Sequence, residues 1–579
     1  MAHSAGAFPM AMARLQPMDL TSLRAALSEW RGLLLPSRFE KAQQGSSHSL
    51  QLGLRHLHGI QWLELCWQAE AARVHAIAPP PRQGEGSTLA QQLQHGLRGL
   101  ALTSLEQPGW ERIVDLGFAR RPGEPLEKRL VIELMGRHSN LFLLDGDGRV
   151  VALARQVKSG QSRLRPIGTG DRYQLPPPPA GEPPCAASSF AAWQQRLLLL
   201  PLPLERALRD AFQGISPALA RQLVPETWLE QPVHTLGEVQ WLQLWQAWQS
   251  WLEALDAERY SWQPSPTGYR CWAPLSQDPL NRDAAGDPAQ PARRGGLPIN
   301  QALASYYGEL LATRALQDNR QLLRQRLEKL ADQQARMVAD QEALLAAAAG
   351  SEELQRQADA LLSQRQPSRQ CIDDAQTLYR RARKLRRSVA AISPRLEQHH
   401  QHLAAIEASL TYLDQAESVS QLEALREELE ELLGRSTRPG RRQPRALAAA
   451  RDTPSPLELC TGSGVVVQVG RNHRQNEWIS FRQARRGDLW FHAQELPGSH
   501  VVLKSSAGVA ADADVQMAAD LAAHFSRGRA NGRVPVLMVP VDALQRIPGA
   551  APGTVRHRGG EVIWGVPERA LSLLATRQP

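Results

Sequence analysis

The chain has 579 residues, 42% of them hydrophobic and 22% charged, with a formal net charge of +9. That length exceeds what one core serves and predicts three or four units, while the composition excludes a disordered chain. The positive balance favours a polyanionic partner, no run of about 18 apolar residues offers a membrane span, and the five scattered cysteines lack the Cys-x-x-Cys spacing of a zinc ribbon and predict a reducing, cytoplasmic setting.

Residues 1–17 read as a disordered leader, without the basic stretch and apolar core of a secretory signal. From Asp19, LTSLRAALSEWRGLLL has helical spacing, and SLQLGLR, IQWLELCW and ARVHAIA alternate as strands. GSTLAQQLQHGLRGLAL returns to helical spacing. ERIVDLGFAR, RLVIELMG, NLFLLDG and RVVALARQV supply further strands. The last two meet at Asp145–Gly148, a tight hairpin turn rather than a calcium loop, because the later acidic ligand is missing. This mixed α/β domain spans 18–175.

After the proline-rich linker PPPPAGEPP, a helical region covers 185–308. Within it Gly214-Ile215-Ser216-Pro217 separates two helical stretches. The pattern fits a helix-hairpin-helix facing a phosphate, and equally an ordinary helix–helix corner. Leu316, Leu323, Leu330, Met337 and Leu344 then recur every seven residues. The companion column, Arg320, Leu327, Gln334 and Gln341, is mostly polar and disfavours a parallel dimer. A second arm carries Leu396, His399, Leu403, Ile406, Leu410 and Leu413. Together they predict a long antiparallel coiled-coil hairpin over 309–433, with Pro367 and Pro394 bounding its tip. Into that tip fall Arg380, Arg381, Arg383, Lys384, Arg386 and Arg387. A charge run is usually a solvated helix face. Six cations without an anion fit a phosphate backbone, and ribosomal RNA is the favoured partner. His399 and His402 alone make too small a set for a metal site, and neither metal nor cofactor is expected.

Residues 434–456 form a basic flexible linker, and 457–570 a small α+β module. Its centre is DLWFHAQELPGSHVVLK, two β-prone runs about the Pro497-Gly498 turn. Aromatics and imidazoles beside a basic surface suit RNA stacking and edge contacts; a plain core hairpin fits the spacing as well. Asp488, His492 and Ser499 are the residue types of a hydrolytic triad, but no G-x-S-x-G elbow accompanies them.

With the preceding VGRNHRQNEWISFRQARRGD, this stretch resembles the RNA-binding module of the NFACT family. The likeness rests on Gly470, Arg471, Asn472, Gln475, Asn476, Asp488, Trp490, Phe491, His492, Pro497, Gly498, Ser499, His500 and Val501. The first domain is similar to that family's N-terminal domain, whose fold is related to a glycosylase N-terminal fold. The family's Asp-Arg pair reads Glu111-Arg112 here, and its Glu-Ile-Met motif reads Glu133-Leu134-Met135. The resemblance implies that both motifs engage tRNA, with the arginine pre-oriented by a nearby carboxylate.

The whole architecture implied is multidomain α+β: a glycosylase-like domain, a helix-hairpin-helix region, an antiparallel coiled coil and an RNA-binding module. The function implied is ribosome-associated quality control. The protein would bind stalled large ribosomal subunits carrying peptidyl-tRNA and recruit aminoacyl-tRNA, mostly alanyl-tRNA. Untemplated C-terminal tailing would then mark the nascent chain for degradation. It would not be an enzyme, because the ribosome forms the peptide bond and this chain positions tRNA. His492, Ser499 and His500 would face RNA, while Trp490 and Phe491 would be half core. DNA and membrane are not expected partners. The alternative is a fibronectin-binding surface adhesin, the family's older name, which would require export.

Overall fold

The computed structural model describes residues 15–81, 86–160, 165–273, 297–348, 350–363, 365–432, 455–547, 550 and 552–575, in two compact units that divide after Leu311. The expected basic linker, 434–456, falls almost wholly outside the described residues, as does most of the expected leader.

The first unit starts earlier than the sequence suggests. Leu15 and Gln16 are buried, and the Gln16 side chain donates to the Tyr269 carbonyl and accepts from the Tyr269 N–H. Residues 15–17 therefore belong to the fold and not to the expected leader. Asp19 caps helix α1 (Leu20–Leu34), accepting from the Ser22 N–H at 2.8 Å. The face carrying Leu23, Leu27, Trp30 and Leu34 is buried. Strands β1 (Ser37–Ser46), β2 (Ser49–His56), β3 (Gly59–Cys66) and β4 (Arg73–Ile77) follow, then helix α2 (Thr88–Gly96). Strands β5 (Ala101–Glu106), β6 (Ile113–Ala119), β7 (Lys128–Glu133), β8 (Asn140–Asp145) and β9 (Val150–Leu153) complete a nine-stranded sheet ordered β4-β3-β2-β1-β5-β6-β7-β8-β9. Its pairings are antiparallel, and β8 and β9 meet at the expected tight turn.

Two strands escape the sequence reading. SRFEKAQQGS of β1 is too polar to show a period of two, yet Phe39, Ala42 and Gln43 are buried. ALTSLE of β5 continues a helical pattern in sequence, but α2 stops at Gly96 and the chain turns into the sheet at Ala101.

Helices α3 (Phe190–Leu197), α4 (Leu204–Ala211), α5 (Pro217–Leu223), α6 (Glu226–Leu229) and α7 (Glu238–Asp256) build a second core. Tryptophans 193, 241, 248 and 251 are buried in it, with ring centroids 5.2–6.0 Å apart. The hairpin β10 (Tyr260–Ser265) and β11 (Gly268–Trp272) leads towards helix α8 (Pro298–Ala348). The Glu29 carboxylate accepts the Ile299 and Asn300 N–H groups at the start of α8.

In the second unit α8 continues, followed by α9 (Ser351–Leu362), α10 (Arg369–Gln415) and α11 (Val419–Leu432). Leu323, Leu327 and Leu330 pack with Ile406, Tyr412, Leu413, Leu422, Leu425 and Leu429. Arg324 pairs with Asp414, and Gln334 contacts the His399 ring at 2.8 Å, so α8 and α10 run antiparallel. The seam fades outward: Met337 is half-buried and Leu344 is 54% exposed. Pro367 lies in the turn before α10, as expected, but Pro394 sits inside α10 and bounds nothing. Loss of one helical N–H is tolerated in a helix of 47 residues that is held on both sides of the proline.

The module begins with β12 (Leu457–Cys460) and β13 (Val466–Val469). Helix α12 (His473–Trp478) runs into a wide turn over Ile479–Gln483. Then come β14 (Leu489–Ala493), β15 (Val501–Leu503), α13 (Asp512–His524), β16 (Val534–Pro540), β17 (Leu544–Arg546), β18 (Val555–His557), β19 (Glu561–Gly565) and α14 (Pro567–Ala575). Six strands are ordered β12-β13-β15-β14-β16-β19, with β17 and β18 a separate pair. β14 and β15 are neighbours in register Leu489↔Leu503, confirming the two strands about Pro497-Gly498. One face buries Phe491, Val501, Leu503 and Val536 against α13. On the opposite face Trp490, Val502 and Val539 are covered by the 478–484 segment and by residues of β17 and β18.

Candidate nucleic-acid interfaces

The first site is a cleft of about 440 Å³ in the first unit. Asp19, Trp110, Glu111, Arg112 and Met135 line one side, and Arg209 and Gly214–Pro217 the other. Gly214 has φ +76, and a Cβ there would stand 2.7 Å from the Leu20 side chain, so this turn admits only glycine. Ser216 caps α5 and donates to Asp19 Oδ2 at 2.9 Å. The helix–turn–helix and the N-terminus of α1 are thereby tied together.

Arg112 is half-buried, and its Nη1 donates to the Met18 carbonyl at 3.4 Å. Burial lowers its pKa, while Asp19 first, then Glu111, act to keep it charged. Among the described residues no ion pair joins Glu111 to Arg112, contrary to expectation. Both residues lie in the bend that precedes β6, and the guanidinium turns to the Met18 carbonyl just ahead of α1. Glu111 keeps a buried oxygen, Oε1, without a hydrogen-bond partner. Burial raises its pKa, with Arg112 opposing and Glu133 adding to the rise.

The Glu133-Leu134-Met135 motif divides. Glu133 is 2% exposed and its carboxylate is taken by Arg165, with contacts of 2.9 and 2.7 Å, and by the Tyr173 hydroxyl at 2.8 Å. Leu134 is core, its N–H donating to the Arg112 carbonyl at 2.8 Å. Only Met135 joins Arg112 in the cleft. Glu133 and Leu134 thus fix the strand end that presents Met135. Asp19 and Arg209 were missed in the sequence; Asp19 is legible there as a helix cap, but no local signal places it beside Arg112.

The second site is the cationic run. Arg380, Arg381, Arg383, Lys384, Arg386 and Arg387 are all exposed on α10, and none forms an ion pair among the described residues. They lie on the flank of α10 rather than at a tip, because the turn between α9 and α10 falls between Leu362 and Arg369, about three helical turns before the run. Ala358, Ala375 and Ala382 are buried where α9 and α10 pack.

The third is the motif of the module, and here the structure overturns most of the RNA-facing expectation. Ser499 is fully buried and His500 nearly so. The His500 N–H donates to Asn476 Oδ1 at 3.1 Å, and its ring meets Ser480 Oγ at 2.8 Å. Burial drives the His500 ring well below its ordinary pKa, so it stays neutral. Trp490 and Phe491 are fully core rather than half core. His492 is half-buried and stacks on Trp490, centroids 5.6 Å apart at 17°. Burial lowers its pKa to about 4.

Several of the other motif residues fasten the module to the long helices. Asn476 Nδ2 donates to the Tyr412 hydroxyl at 2.8 Å, and that hydroxyl donates to the Gly498 carbonyl at 3.1 Å. His473 contacts Ser409 Oγ and the Ala405 carbonyl, while Glu428 accepts its backbone N–H. Arg471 pairs with Glu417 at 2.8 Å. Asn472 caps α12. Gly498, between half-buried Pro497 and Ser499, approaches Ser526 so closely that a Cβ would lie 2.9 Å from its Cβ.

No triad forms. Asp488 is fully buried and accepts from the Arg485 and Ser506 N–H groups and from Lys504 Nζ. Burial alone would raise its pKa; the hydrogen bonds from Ser506 and Arg485 outweigh that and hold it below the usual range.

The model for NFACT N-terminal and middle domains matches residues 19–445, and the NFACT protein RNA binding domain matches 458–559. A relative named "Rqc2 homolog RqcH" from Streptococcus pneumoniae serotype 2 is 25% identical over 581 residues, covering 94% of this chain and 97% of that one. A protein of the same name from Bacillus subtilis (strain 168) is 24% identical, covering 92% and 95%. Among solved structures, the C-terminal part of the fibronectin/fibrinogen-binding protein from Streptococcus suis covers 45% of this chain and 98% of its own, at 26% identity and a TM-score of 0.37. The N-terminal part of that protein covers 50% and 99%, at 20% identity and a TM-score of 0.38. Matched by the two models over nearly all of its length, the chain belongs to the NFACT family.

Proposed function

We propose that this protein acts in ribosome-associated quality control, binding large ribosomal subunits that carry peptidyl-tRNA and placing aminoacyl-tRNA for untemplated C-terminal tailing. The relatives named RqcH, matched almost end to end, support this reading. The observation that carries it is the cleft joining Arg112 and Met135 to the Gly214–Pro217 turn. Arg112 presents a charged fork at the cleft wall while Met135 offers an apolar contact, a combination suited to a phosphate beside a base. The exposed cations of α10 supply a separate, sequence-independent hold on ribosomal RNA. Alanyl-tRNA is the tRNA we assign to the cleft. The protein's part is positioning, and the ribosome makes the bond.

The test is tailing on purified large subunits with Arg112→Ala. Alanine addition should be lost while sedimentation with the subunit is kept. Normal addition by that variant would refute the tRNA assignment.

A further inference from the structure

The outer face of the module's sheet carries an apolar surface for which the motif residues give no reason. Residues paired across antiparallel strands share a face. His492 pairs with Leu537, Leu537 with Val562, and Pro535 with Trp564. These five side chains therefore lie on one face, opposite the α13 core. Trp564 is 56% exposed and Val562 49% exposed, while His492, Pro535 and Leu537 are half-buried. Trp490, Val502 and Val539 on the same face are covered by the 478–484 segment and the β17–β18 pair. The uncovered part is thus confined to β16, β19 and His492.

The loops that lead into β16 and β19 are cationic. Arg527, Arg529 and Arg533 are exposed in the loop that enters β16. Arg556 and Arg558 are exposed where β18 leads through Gly559-Gly560 into β19. None of the five forms an ion pair among the described residues. Glu561 belongs to the other face, paired with Met538. A large exposed indole on a face where the described strand partners include no carboxylate, with arginines in the flanking loops, matches what unpaired bases and their phosphates recognise. A protein segment adding at the β19 edge would not require that charge.

We propose that the face formed by Trp564, Val562, Leu537, Pro535 and His492 is a stacking platform for single-stranded RNA, with the flanking arginines on its phosphates. Trp564 lies beyond the residues matched by the RNA-binding model, 458–559. The inference rests on the ribosome-bound reading above and names where the module would hold an unpaired stretch. Base stacking on the indole is insensitive to sequence and strongly sensitive to pairing.

The experiment measures binding of the full chain to labelled oligouridylate and to an RNA duplex of equal length, over a salt series. Trp564→Ala should weaken oligouridylate binding roughly five- to 150-fold without changing the salt slope, and Trp564→Phe should stay within ~3-fold of the parent. Arg533→Gln should lower the slope instead. Trp564 is exposed, so the variants keep the fold, which their thermal melts would show. Unchanged oligouridylate binding by Trp564→Ala overturns the platform while leaving the ribosomal reading intact. Loss of subunit retention with normal oligouridylate binding points to a protein occupant and also overturns it. Failure of the parent chain to bind any RNA would sink both readings.

Discussion

Asn476 is the sharpest place to separate a docking role for the module's motif from direct RNA contact. Its side chain is buried, donates to the Tyr412 hydroxyl at 2.8 Å and accepts the His500 N–H at 3.1 Å. In Asn476→Ala the His500 N–H is left buried without a partner, a cost of about 1–3 kcal/mol. The Tyr412 hydroxyl loses one bond and keeps that to Gly498, adding about 0.5–1.5 kcal/mol. The two add to about 1.5–4.5 kcal/mol. For a domain of about a hundred residues each kcal/mol lowers Tm by roughly 4–8 °C, so the module transition should fall by about 6–36 °C. Thermal unfolding of the full chain measures this, and hydrogen exchange at the His500 amide localises it. RNA affinity, taken well below the lowered transition, should be near that of the parent. A module that melts within ~2 °C of the parent but has lost RNA binding would refute the docking role.

Glu133→Ala removes the buried carboxylate that takes two Arg165 nitrogens and the Tyr173 hydroxyl and should destabilise the first unit by about 3–5 kcal/mol in denaturant titration; a change below about 1 kcal/mol would refute the buried pair. Replacing the six cations of α10 by glutamine should weaken large-subunit binding and reduce the salt slope by about 0.7–0.9 for each phosphate no longer neutralised, whereas unchanged co-sedimentation would remove this surface from the interface. Acid should loosen the module through His473, which burial lowers from 6.5 to about 4. Because the unfolded ring binds a proton first, this stability is complete above the ordinary value and is lost as pH falls towards 4, to the extent of about 3 kcal/mol. Denaturant midpoints compared at neutral and mildly acidic pH check the sign; a midpoint that rises on acidification contradicts it.

The family, most strands of the first sheet, the antiparallel helix pairing and the cationic run are legible in the order of the residues. Those signals are local: alternation of two, repeats of seven, and short motifs whose residues are contiguous. Sequence cues also located Arg112 and the Gly214–Pro217 turn, but only tertiary structure brought them, with Met135 and Asp19, around one cleft. Glu133, Ser499 and His500 carry the chemistry of RNA contact, and only the tertiary structure shows that all three are buried. A histidine's letter does not say which neighbour covers it. Asn476 and Tyr412 are 64 residues apart, and nothing in either segment announces their hydrogen bond. Trp564 shows the converse, since an apolar letter in a strand predicts core and strand order alone leaves it exposed on the outer face. Period-two alternation tells which residues share a face; which face is covered depends on segments far away in the chain.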